Sequence, residues 1–216
     1  PASGVKTADA ASSPEAQAEA EAQAPLEALQ EEITSSIKRV EHGVAALSIR
    51  SAIGVPQASL APLRRRYESC RNRLHDPSLV LRLYYAAPRP QLERVLAEGF
   101  DAVPIESSAL HTFGRGWYFT RYASRAHHFC DRAHAASEAG CLLLALVAVG
   151  NTETVVKRDE RRGAPSAGFD SVIVPGRPLP PAARHQPSRR SGGFGEDYLL
   201  FDGSQAMPLY LVEYTA

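Results

Sequence analysis

The sequence predicts an α+β fold, and three observations predict it. Apolar residues step by three or four through two stretches before residue 79. From Val80 onward, strand-sized apolar runs alternate with short helical patterns. Hydrophobic residues make up 44% of the 216 residues, enough to bury a core and to exclude wholesale disorder.

The elements follow in chain order. Residues 1–25 are mainly Ala, Glu, Gln and Ser with no apolar face, and they read as a low-complexity linker. Residues 26–79 read as a helical lead-in. Its first part places Leu26, Leu29, Ile33, Ile37, Val40, Val44 and Leu47 on one helical face, after Pro25 in the opening turn. A second helix over 61–74 puts Leu63, Tyr67, Cys70 and Leu74 on one side. Arg64, Arg65, Arg66 and Arg71 lie on the other side, which reads as a solvated face.

Residues 80–216 read as the main domain. VLRLYY (80–85) is β-branched and aromatic, hence a strand. Pro90–Glu98 is a compact helix with Gly99 as its stop. WYFT (117–120) is a strand entered through Gly114-Arg115-Gly116, and Ala123–Ala136 reads as helix. Cys141–Val149 is nearly all apolar, so it predicts a strand covered on both faces. SVIV (171–174), YLLF (198–201) and MPLYLVEY (207–214) are further strands. Most of the Gly-, Pro- and Arg-rich stretch from Arg158 to Gly195 reads as surface loop.

Charge and cysteine content narrow the function classes. Lys+Arg and Asp+Glu are both 24, so the formal net charge is zero. That balance argues against a protein whose main work is coating nucleic acid or anionic lipid. No run approaches the roughly 20 apolar residues of a membrane span. The opening PASGVKTADA lacks the apolar region of a signal peptide and does not begin with Met, which suggests a fragment or a processed chain. Three Cys without paired spacing fit a reducing compartment, cytoplasmic or nuclear.

Five blocks in order carry a family resemblance: LYYAAP (83–88), GRGWYFTRYASRAHHFC (114–130), LLLALVAVG (142–150), GFDSVIVPG (168–176) and YLLFDGSQAMPLYLVEY (198–214). Together they resemble the catalytic domain of the poly(ADP-ribose) polymerase family, closest to its mono-ADP-ribosylating branch. The resemblance implies an ADP-ribosyltransferase fold, with split, mostly antiparallel β-sheets and flanking helices around an NAD cleft. It also implies NAD+ as substrate, no metal, and transfer of ADP-ribose to a protein acceptor. The family breaks the bond between nicotinamide and ribose, so positive charge builds on the sugar and a nearby carboxylate stabilises it. The implied partners are NAD+ and a protein, with no membrane, no nucleic acid through this domain, and a monomeric state.

The family's site carries over residue by residue. Its His on the opening strand corresponds to Tyr85, and the following Gly to Ala86. The Gly-x-Gly-x-Tyr-Phe block supplies Gly116 and Tyr118. The helix Ser that bonds the nicotinamide amide corresponds to Ala126, and the aromatic that stacks on the ring to Phe129. The family's catalytic Glu corresponds to Asp197. The triad thus reads Tyr85, Tyr118, Asp197. Tyr85 keeps a hydroxyl, Ala86 keeps its backbone groups, and Asp197 keeps the charge one methylene nearer its own backbone. The reading requires a ring-sized slot between the glycine-led Tyr118 strand and the Tyr84–Tyr85 pair. A rival expectation is a non-catalytic relative that uses this fold as a binding or scaffold module. A weaker one is a transferase of the same fold acting on nucleic acid.

Two other motifs are weighed. His127, Cys130 and His134 would share a helical face at ligand-capable spacing, but no fourth ligand is evident, so no metal is expected. Gly192-Gly193-Phe194-Gly195 lacks the lysine and following helix of a phosphate loop and reads as a connection.

Overall fold

The apolar run predicted to be covered on both faces is strand β4 (Ala139–Ala148), near the middle of the molecule. Leu143, Ala145 and Val147 enter one buried cluster, while Leu142 and Leu144 enter another on the opposite side. The period of two in a pleated strand produces that division. The structure is a computed structural model and describes residue 31 and residues 48–103, 105, 112–130, 139–175 and 196–215. The linker over 1–25 and, apart from Glu31, the helical pattern over 26–47 lie outside these residues.

Around β4 stand β1 (Ser48–Gly54), β2 (Val80–Tyr85), β3 (Trp117–Thr120), β5 (Thr152–Thr154), β6 (Ser171–Pro175), β7 (Glu196–Leu200) and β8 (Ala206–Thr215). They form one sheet in the order β1-β8-β4-β2-β3-β7-β6-β5. All pairings are antiparallel except β5 with β6. With helices on its faces, this is the α+β, mostly antiparallel architecture expected. Four strands lie on each side of the β2–β3 junction, and that junction holds a single register pair, Tyr84↔Thr120. The split of the sheet therefore survives as a place where two halves barely join.

Three helices cover the sheet: α1 (Gln57–Arg71), α2 (Arg89–Glu98) and α3 (Ala123–Cys130). Helix α1 buries Leu63, Tyr67 and Cys70, and Leu63 and Tyr67 pack against Ala148 and Met207. Its Arg64, Arg65 and Arg66 are exposed, as a solvated face requires. Helix α2 buries Leu92, Val95 and Leu96, the spacing of one amphipathic face. It stops at Gly99, whose φ of 94° suits glycine, and a Cβ there would lie 2.9 Å from Leu63 Cδ2. No helix among the described residues is long and apolar enough to cross a membrane.

Two strands differ from the sequence reading. Ser48–Gly54, read as part of the helical lead-in, is an edge strand paired with β8 from Ser48↔Thr215 to Gly54↔Tyr210. An irregularity between Ile49 and Ser51 breaks the alternation that would have marked it, and its partner lies at the far end of the chain. Strand β5 is only three residues long and carries no apolar run at all. The predicted helix over 123–136 is described as far as Cys130.

Candidate functional site

The site forms where β2 and β3 meet and then part. Antiparallel register sets a row across one face of the sheet: Tyr84 opposite Thr120, and Thr120 opposite Asp197. Tyr118 lies two residues from Thr120 along β3 and so shares that face. Helix α3 covers it. Ala123 and Ala126 pack with Tyr84, Leu142, Leu144 and Tyr214, and Ala86 joins the same cluster. Small side chains let the helix approach the strands closely at this point.

The centre of the face is an ion pair. Arg125 Nε donates to Asp197 Oδ1 at 2.7 Å, and Nη2 donates to Oδ2 at 2.9 Å. The two side chains are 1% and 2% exposed. A two-pronged guanidinium–carboxylate contact fixes both groups in one geometry. Burial removes water from both charges, and the pairing offsets part of that cost.

Tyr118 is tied back over the turn that precedes it. Its hydroxyl donates to Gly114 O at 2.9 Å and accepts from Phe113 N at 3.2 Å. Its ring packs beside Phe113, Val172, Val174 and Leu199. Gly116 lets β3 enter against β7, since a Cβ there would sit 2.1 Å from Leu200 O and 2.7 Å from Leu199 Cδ1.

Tyr85 occupies the other face. Its ring meets Phe100 edge-on at 5.3 Å and Phe119 at 5.5 Å, within the cluster that contains Leu83 and Tyr198. One residue of strand register separates it from Tyr84, and that residue turns it away from Asp197. The structure thus brings Tyr118, Asp197, Ala86 and Ala126 to one face, and it places the Tyr85 ring on the opposite face. Phe129 lies in α3, and its side chain is outside the described residues, as are those of His128 and Cys130.

Arg125, which pairs with Asp197 at this face, carries no motif in the sequence. A signal existed, since an arginine between Ala123 and Ala126 on an otherwise small-residue helix face is anomalous. Its partner, 72 positions away, was beyond any local pattern. On the far side of the strand, Arg121 Nη2 and Nε donate to Tyr198 Oη at 2.7 and 3.0 Å, and that phenol donates to Glu196 at 3.1 Å. Burial raises the Tyr198 phenol above its ordinary range, and Arg121 opposes the shift in part.

The metal-like pattern takes another course. His127 Nδ1 lies 2.7 Å from the Tyr214 hydroxyl, and His134 is outside the described residues. Among the described residues no group of three metal-capable side chains converges. Cys70 and Cys141 are buried free thiols, and burial raises both, Cys70 to about 11 with Asp202 adding to the effect. Thiols so held are poor nucleophiles. The Gly192–Gly195 segment lies outside the described residues.

Comparison with known proteins agrees with this architecture. Residues 63–216 match the family described as the poly(ADP-ribose) polymerase catalytic domain. The protein named poly [ADP-ribose] polymerase 1 of Caenorhabditis elegans is 30% identical over 155 residues, which covers 69% of this chain. The match spans 16% of that relative's own length. With the match running through every strand from β2 to β8, the chain belongs to the poly(ADP-ribose) polymerase catalytic domain family.

Proposed function

We propose that this protein is an NAD+-dependent ADP-ribosyltransferase that adds single ADP-ribose units to a protein side chain. The observation that carries the reading is the buried Arg125–Asp197 pair at the junction of the two half-sheets. A buried ion pair adds little net stability over an apolar substitute, so its presence where the two half-sheets meet supports a role beyond packing. In this reading Asp197 is the carboxylate beside the ribose, oriented by Arg125. The bond to nicotinamide breaks with positive charge developing on the sugar, and a fixed carboxylate in a dry site stabilises that charge. Ala86 offers backbone N–H and C=O to the nicotinamide amide. Ala126 withholds the hydroxyl that the resemblance leads one to expect, and a lost hydrogen bond of this kind costs about 1–3 kcal/mol. Tyr118 shapes the pocket wall through its ring, while its hydroxyl holds the turn at Gly114. The site of action is cytoplasmic or nuclear.

One observation favours a second reading, a binding or scaffold module without turnover. Both oxygens of Asp197 are engaged by Arg125, and Tyr85 contributes its ring to the opposite face.

Ligand-dependent unfolding separates the two readings. NAD+ at a hundred times its Kd raises stability by about 2.7 kcal/mol. The transferase reading expects that gain, expects transfer of labelled ADP-ribose to protein, and expects Asp197→Asn to abolish the label. Absence of any shift at millimolar NAD+ would establish the module reading instead. Label that persists in Asp197→Asn would remove that carboxylate from the chemistry.

A further inference from the structure

The loop that follows β5 has features that the site itself does not use. Val156 is 78% exposed, against 44% for Ile53 and 41% for Leu79, the other exposed large apolar residues among those described. It is followed at once by Lys157 and Arg158, and then by Arg161, all exposed. Arg115, exposed in the turn leading into β3, lies against the same loop, because its N–H donates to Arg162 O at 2.8 Å. Of the anions nearby, Asp159 and Glu160 are exposed, and Asp159 and Glu153 make internal bonds. Asp159 Oδ1 accepts from Arg161 N at 3.1 Å, and Glu153 engages Arg162 Nη1 at 2.9 Å and Ser166 at 2.9 Å. In a chain of zero net charge, Arg115, Lys157, Arg158, Arg161 and Arg162 outnumber Glu153, Asp159 and Glu160 here, around one projecting aliphatic side chain.

The loop is also held in place. Val155 N donates to Ile173 O at 2.9 Å, and Asp159 N donates to Thr112 O at 2.9 Å. Those bonds fix it to β6 at one end and to the Tyr118 turn at the other. A preformed surface loses little entropy on binding. Cations at the rim of an interface steer an oppositely charged partner and set its register.

We propose that Val156, Lys157, Arg158, Arg161 and Arg115 form a docking surface for an acidic protein segment that carries an apolar residue. The Val156 side chain decides for a protein over a nucleic acid, since a phosphate backbone gains nothing from an aliphatic contact. The bonds from Arg115 N to Arg162 O and from Asp159 N to Thr112 O join this loop to the segment bearing Tyr118 and so place the surface beside the site. That the docked segment is the acceptor of ADP-ribose rests on the transferase reading above.

The test uses the full chain and a short labelled peptide of alternating Glu and Leu, followed by fluorescence anisotropy without NAD+. The peptide binds, and its affinity falls with added salt. The triple variant Lys157→Glu/Arg158→Glu/Arg161→Glu weakens binding about tenfold or more, equivalent to 1.4 kcal/mol. Val156→Ser weakens it several-fold while leaving the salt dependence unchanged. Equal binding by wild type and triple variant overturns the proposal. So does tighter binding of a DNA duplex that ignores Val156→Ser. NAD+-induced stabilisation, measured on the same variants, stays at the wild-type value. Its loss in wild type would sink the transferase reading alone, and the peptide result would still decide the surface.

Discussion

Arg125 and Asp197 show what one residue pair costs and does. Each is buried and each engages the other through two hydrogen bonds. Removing either partner strands a charge out of water. Arg125→Met or Asp197→Leu alone therefore lowers stability by about 3–5 kcal/mol, whereas the double variant returns close to wild type. Urea denaturation of the four proteins measures this directly. Losses that simply add in the double variant would mean that the two groups are not each other's partner. The resemblance aligned Asp197 with the family's carboxylate position. Arg125 was not legible in the sequence, because an ion pair across 72 residues leaves no local trace. Tyr85 teaches a related lesson. Its alignment was readable, but the face it takes depends on the register of β2 against β3, which no single strand reveals.

At the scale of elements, β3 owes its position to a missing side chain. Gly116 passes Leu200 O so closely that a methyl group would have to sit 2.1 Å away. Gly116→Ala must therefore push β3 away from β7, at a cost of roughly 3 kcal/mol. Thermal unfolding should fall accordingly, and Tyr118 and Asp197 should lose their shared face with it. An unchanged midpoint would show that β3 can shift freely. Helix α2 was readable almost to the residue, since proline at its start, three apolar residues and Gly99 at its end are all local signals. Strand β1 was hidden because its irregular register disrupts the period, and β5 because three residues give no period at all.

Across the whole molecule, Asp170 ties distant segments together. Its carboxylate accepts from His75 N at 3.0 and 3.1 Å, from His75 Nδ1 at 2.8 Å, and from Asn151 N at 2.8 Å. These bonds join the loop after α1, the loop after β4 and the entry to β6. Burial alone would raise its pKa, but the donors from His75, Asn151 and Asp76 outweigh burial and hold it below the usual 3.8. A depressed folded-state pKa stabilises the protein above the unfolded value. That contribution is lost as pH falls through the folded value. The stability difference between wild type and Asp170→Asn should thus be constant near neutrality and shrink below about pH 4. A gap that narrows on the alkaline side instead would contradict this role.

The sequence by itself determined the family, the order of the helices and of the strands other than β1 and β5, and the residue types along the aligned blocks. Those depend on local period, on turn chemistry and on motif spacing, all of which are written along one dimension. Only the tertiary structure decided that Tyr85 turns away from Asp197, that Arg125 clamps the carboxylate, and that the two half-sheets touch through one pair. Each of these is a contact between segments far apart in the chain. Such contacts are selected by burial and register across the sheet, and no local preference encodes them.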